Sequence, residues 1–86
     1  MTYRVLIDTR AARELEALPK PVVARLDTVI LSLMTNPRPP GTKKLKGKLE
    51  EGWRVRVGNY RVLYRIDDED HEVRIYHIGH RREIYR

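Results

Sequence analysis

Apolar positions in this chain change period near its middle. From about residue 10 to residue 35 they recur at helical spacing, and from residue 53 onward they alternate. A short apolar run, Tyr3–Ile7, precedes the helical part and predicts a first strand. Asp8 or Thr9 then supplies a cap for a helix over Arg10–Leu18, whose stripe is Ala12, Leu15 and Leu18. Pro19-Lys20-Pro21 breaks it, and Pro21 suits the first turn of a second helix. Val22, Val23, Leu26, Val29, Ile30 and Leu33 carry that helix to about Thr35. Asn36-Pro37 and Pro39-Pro40-Gly41 end it.

The second half alternates. Trp53, Val55 and Val57 share one side of a strand, with Arg54 and Arg56 on the other. Gly58-Asn59 is a turn signal. Tyr60–Ile66 repeats the pattern, with Tyr60, Val62, Tyr64 and Ile66 against Arg61, Leu63 and Arg65. The acidic turn Asp67–Asp70 follows, then a strand over Val73–Ile78 that is apolar on both faces and so central or well covered. The tail His80–Arg86 has room for one or two helical turns. The predicted architecture is α+β, in the order β-α-α-β-β-β. A helical hairpin covers one face of an antiparallel sheet and leaves the other face open. Residues 1–86 read as one domain.

Charge gives that open face a meaning. The chain carries 18 basic and 12 acidic residues, a net charge of +6. The stretch Lys43–Arg65 holds the whole excess: Lys43, Lys44, Lys46, Lys48, Arg54, Arg56, Arg61 and Arg65 against Glu50 and Glu51. A local cationic field of this kind attracts polyanions. Arginine outnumbers lysine 13 to 5, and its planar fork grips phosphate at two points and stacks on bases. The bland reading, a solvated basic surface, does not require that preference. The predicted face places Arg54, Arg56, Arg61 and Arg65 together, which favours anion binding.

Other chemistry is narrowed by what is missing. There is no cysteine, hence no disulfide and no thiolate metal site. His71, His77 and His80 lack a ligand pattern with carboxylates, so no metal and no cofactor are expected. His77, inside an apolar strand, reads as a packed residue, and His71 as a solvated turn residue. His80, after Gly79 at a strand end, is a candidate for an active cleft. Trp53, Tyr60 and Tyr64 read as packing residues. No apolar run reaches the roughly 20 residues needed to span a bilayer. The start, Met1-Thr2-Tyr3-Arg4, has no signal-peptide pattern, so a cytoplasmic protein without membrane contact is expected.

Four segments together carry a resemblance. Lys44-Leu45-Lys46-Gly47, Trp53-Arg54-Val55-Arg56-Val57, Tyr60-Arg61-Val62-Leu63-Tyr64 and Gly79-His80-Arg81-Arg82-Glu83-Ile84-Tyr85-Arg86 resemble the RelE branch of the RelE/ParE toxin superfamily. The likeness covers nearly the whole chain. It implies a fold like that of microbial ribonucleases and metal-free cleavage of mRNA on the ribosome. In that reaction a ribose 2′-hydroxyl attacks the adjacent phosphate, leaving a 2′,3′-cyclic phosphate and a 5′-hydroxyl. It also implies a toxin–antitoxin pair, with an acidic RelB-like antitoxin that blocks the basic face or displaces the tail.

Carried over by position, the family's catalytic set falls on Arg54, Arg56, Arg61, Arg81 and Tyr85, with His80 as an added candidate; Lys44, Lys46, Lys48, Arg65 and Arg82 would bind RNA. Arg81 and Tyr85 are four apart, adjacent if the tail is helical. One departure matters. The best-known members have lysine where this chain has Arg54 and Arg56, and arginine does not give up its proton. These two residues therefore stabilise charge, and the proton acceptor must come from His77, His80, Lys46, Lys48 or Tyr85, or be dispensed with. Two alternatives remain: a ParE-like toxin acting on DNA gyrase, and a non-catalytic module that binds RNA or an acidic peptide.

Overall fold

The computed structural model describes residues 2–46 and 51–80. The chain runs through β1 (Arg4–Ile7), α1 (Thr9–Glu16), α2 (Lys20–Ser32), β2 (Lys43–Lys44), β3 (Trp53–Val57), β4 (Tyr60–Asp67) and β5 (Glu72–His80). The strands form one sheet in the order β1-β5-β4-β3-β2. The α+β class and the paired helices are those expected. The sheet, however, is mixed. β3, β4 and β5 form an antiparallel meander, whereas β1 pairs with β5 in parallel, Val5 opposite Val73 and Ile7 opposite Ile75. The alternation of a strand reports which face each residue takes, not the direction of its neighbour. The long excursion through both helices and the meander supplies the crossover that a parallel pair requires.

Helix boundaries follow local chemistry. Asp8 stands at the N-cap of α1 but makes no side-chain cap bond. Its carboxylate instead receives the Arg74 guanidinium at 2.9 Å. Pro21 lies at the start of α2, where its missing N–H costs nothing. α2 ends at Ser32, earlier than the periodicity suggested, and tight bonds from Leu33 to Ile30 and from Met34 to Leu31 carry the apolar stripe on.

The core lies between the helices and one sheet face. Ala11, Leu26, Ile30 and Leu33 meet Val55, Val57, Val62, Tyr64, Val73, Ile75 and Ile78. Tyr64 is fully buried, and its hydroxyl donates to the Pro37 carbonyl at 2.8 Å. That bond ties the proline-rich connection to the sheet, and burial pushes the phenol's pKa up. Trp53 packs against the same core, with the Arg38 guanidinium 4.9 Å from its ring centre. β5 lies between β1 and β4, the central place expected of it, and its second face carries the exposed Arg74.

The second sheet face is only partly open. Leu63 is 0% exposed, Arg54 8% and Arg61 6%, although all three point away from the helix-packed core. The segment entering β3 lies over one end of this face: the Tyr76 hydroxyl donates to the Glu51 carbonyl at 2.7 Å. Gly52 follows at φ +101°, and a Cβ there would collide with the Tyr64 carbonyl. Glycine is therefore required for the chain to approach β4 so closely.

Candidate nucleic-acid interface

Register brings the strand arginines together. Arg56 lies directly opposite Arg61, Arg54 opposite Leu63, and Lys43 opposite Arg54. Lys43, Arg54, Arg56, Arg61 and Arg65 thus share the face away from the helices. Arg54 and Arg56 line a hollow of about 260 Å³ with Lys43, Pro40 and Gly41. Arg54 and Arg61 are buried, while Arg56 and Arg65 are exposed. Burying a guanidinium is costly unless something offsets it, and like charges set directly opposite on adjacent strands repel.

Several cations elsewhere are held in ion pairs. Arg4 pairs with Glu72, Arg38 with Asp68, and Arg74 with both Asp8 and Glu72. Among the described residues no carboxylate lies within ion-pair distance of Arg54 or Arg56. The most shifted carboxyl lies well away, in the turn after β4. Asp68 receives bonds from Arg38, the larger cause, and from the Tyr3 hydroxyl, and its pKa falls to about 2. The same contact holds the Tyr3 phenol above its ordinary value.

The other residues singled out from the sequence are dispersed. Lys44 pairs with Trp53, so it alternates to the helix side, and Lys46 is exposed just beyond β2. His80 is set opposite Tyr60, its ring edge-on at 5.5 Å, and lines a cleft of about 420 Å³ with Glu14, Leu18 and His77. That cleft opens on the helix side, across the sheet from Arg54 and Arg61. Lys48, Arg81, Arg82 and Tyr85 lie outside the described residues. No group of three or more potential metal ligands occurs among the described residues, and no helix among them is long and apolar enough to cross a membrane.

Two features were not legible beforehand. A bulge between Leu63 and Tyr64 in the β4–β5 ladder leaves Tyr76 as the extra residue. Alternation from Ile75 turns Tyr76 to the arginine face, where the Arg65 guanidinium lies 4.3 Å from its ring centre. On the other side of β5, Glu14 of α1 contacts His77 Nδ1 at 2.7 Å and accepts the Ile78 N–H at 3.0 Å. The Arg10 guanidinium meets the remaining ring nitrogen at 3.2 Å. Arginine only donates, so Nε2 accepts and Nδ1 carries the hydrogen that faces Glu14. His77 is thus a packed residue held by a carboxylate.

A two-helix cover, a mixed five-stranded sheet and an arginine-lined second face define a small cationic α+β protein suited to polyanions. Comparison with known proteins makes this specific. The profile of the ParE toxin of type II toxin–antitoxin systems, parDE, matches residues 5–85. Toxin RelE of Mycobacterium tuberculosis is 42% identical over 85 residues, 98% of this chain and 87% of that protein. The toxin–antitoxin complex RelBE2 from Mycobacterium tuberculosis contains a chain that matches with a TM-score of 0.82 at 34% identity, covering 93% of this chain and 99% of that one. The archaeal RelE–RelB complex from Pyrococcus horikoshii gives 0.83 at 31% identity, covering 96% and 99%. The chain belongs to the ParE toxin family of type II toxin–antitoxin systems and is of the RelE type.

Proposed function

We propose that this protein is a ribosome-dependent mRNA endoribonuclease, acting in the cytoplasm and held inactive by a cognate acidic RelB-like antitoxin. The observation that carries the reading is the buried pair Arg54 and Arg61 flanked by exposed Arg56 on one sheet face. Attack of a ribose 2′-oxygen on the adjacent phosphate builds a crowded, doubly charged phosphorane. Guanidiniums fixed before the substrate arrives stabilise that charge without reorganising. Arg54 and Arg61 fill this role, and Arg56 and Lys43 draw the strand in. Arg81 and Tyr85 complete the set by position in the sequence.

The proton acceptor is not an arginine. With His77 engaged by Glu14 and Arg10, and His80 on the helix side, it falls to Lys46, Lys48 or Tyr85, aided by the positioning of substrate on the ribosome. Relatives solved as RelB–RelE complexes support the antitoxin partner.

The test is cleavage of a defined mRNA on programmed ribosomes without added metal. Cuts ending in a cyclic phosphate, lost in Arg61→Ala and Arg81→Ala, are expected. The ParE description of the matching profile favours one rival, a toxin directed at DNA gyrase. Intact mRNA together with inhibited DNA supercoiling would select it.

A further inference from the structure

Arg65 and Tyr76 stand out among the features that the arginine cluster leaves unexplained. We infer that the two form a nucleobase-stacking subsite beside the phosphate-binding arginines, a reading that rests on RNA as the ligand of this face. Tyr76 is half-buried at the β5 bulge, and its hydroxyl is fixed by the Glu51 carbonyl at 2.7 Å. Its ring holds the Arg65 guanidinium at 4.3 Å from the ring centre. A guanidinium over an aromatic ring turns one side to it, and Arg65 is exposed. The remaining face is planar, weakly hydrated and already ordered, which suits a splayed base.

The surroundings select a base over a phosphate. Arg61 and Arg65 are separated by four positions on one strand, about 13 Å, a span that a short stretch of single strand covers. Leu63, fully buried, lies between them and offers no charge. Beyond Arg65 carboxylates outnumber cations: Arg65 shares a hollow of about 510 Å³ with Asp67, Asp68, Glu69 and Glu72, and with Arg74, which Asp8 and Glu72 hold. Phosphates are repelled from that end, whereas a neutral base is not. Arg74, directly opposite Arg65, is already held by Asp8 and Glu72, so the track open to a ligand ends at Arg65, and the last group it receives is a base.

The test uses a short single-stranded RNA made uncleavable by 2′-O-methyl groups and a set of the same strand with one abasic position moved along it. Binding is followed by fluorescence anisotropy at low salt. In the wild-type protein one abasic position should weaken binding about tenfold, within the range for loss of one stacked base. Arg65→Lys keeps the charge but not the plane, so that position should become silent while the salt dependence is retained. Tyr76→Leu, with its fold checked by thermal melting, should lose the same increment; Arg65→Lys, at an exposed position, decides the matter if Tyr76→Leu does not fold. Equal binding of all abasic strands, a base effect untouched by Arg65→Lys, or no binding of RNA at low salt would each overturn the subsite. Ribosome-dependent cleavage is read separately, so a failed subsite with intact cleavage and a sound subsite without cleavage are distinct results.

Discussion

Arg56 and Arg61 occupy directly opposed positions on adjacent antiparallel strands, and the guanidinium of Arg61 is buried while that of Arg56 is exposed. Opposed side chains start from Cβ atoms about 5 Å apart, so like charges there cost the sheet about 0.5 kcal/mol. A sheet selected only for stability would not keep them. Arg56→Gln should therefore leave stability unchanged or raise it by about 0.5 kcal/mol in urea unfolding, while cleavage on the ribosome falls. The salt dependence of single-stranded RNA binding should also flatten, by about 0.7 in log–log slope for the one phosphate that Arg56 no longer neutralises. A variant that loses stability and keeps its salt slope would show that Arg56 serves the fold.

The close approach of Gly52 to β4 makes a sharper stability prediction. This residue combines φ +101° with a position where a Cβ would strike the Tyr64 carbonyl. Gly52→Ala should cost about 3 kcal/mol, since backbone on both sides must shift. Gly41 has φ +91° with nothing near its missing Cβ, so Gly41→Ala should cost only the conformational share, about 1 kcal/mol. Thermal melts of the two variants separate steric from conformational cost. Equal losses would mean that the loop before β3 relaxes freely.

Much of this arrangement was legible in the sequence because each strand carries its own face label. The alternation in Trp53–Val57 and Tyr60–Ile66 put Arg54, Arg56, Arg61 and Arg65 on one side, and the register agrees. What failed was the assumption that this side is open. The signal was present in Leu63, an apolar residue among arginines, and it is fully buried. The parallel pairing of β1 was not legible, because neighbour direction depends on the crossover and leaves no local pattern. The face that His80 takes was not legible in the alternation. The bulge shifts the phase of β5, so counting along the strand from Val73 assigns the wrong face beyond Tyr76. Lys44 lies opposite Trp53 and so on the helix side, a placement that neither its charge nor its motif indicates.

The clamp around Asp68 predicts an acid-sensitive fold. Arg38 and Tyr3 hold its carboxyl at about 2, below the ordinary 3.8. The folded protein therefore resists protonation there more than the unfolded chain does, and the unfolded chain binds the extra proton. The stabilisation is complete above about pH 4 and is lost as pH falls towards 2. Unfolding midpoints measured between neutral pH and pH 2 should decline in that window. Asp68→Asn should start lower at neutral pH and decline less. Because Tyr3 begins the β1 edge and Arg38 covers Trp53, loss of the clamp should loosen both. An acid profile unchanged in Asp68→Asn would assign the decline to other carboxylates.

Glu14 takes the place of a strand. β1 ends at Ile7 opposite Ile75, so the edge of β5 beyond that point has no ladder partner. The Ile78 N–H instead donates to the Glu14 carboxylate at 3.0 Å, and the His77 ring donates beside it. A helix side chain thereby closes a sheet edge, and it does so just before the chain leaves β5 for the tail that bears Arg81 and Tyr85. Removing the carboxylate leaves two donors without their acceptor, which costs about 2 kcal/mol when such groups are shielded from water. Glu14→Ala should lower stability by that amount and speed hydrogen exchange at the Ile78 amide, while amides in β3 keep protection relative to the new global stability. Glu14→Gln retains one carbonyl acceptor and should recover part of both effects. Binding of RNA to the sheet arginines, on the other side of the sheet from α1, should be unaltered in Glu14→Ala once its loss of folded protein is allowed for. Unchanged exchange at Ile78 would show that the edge is held by packing of α1 alone.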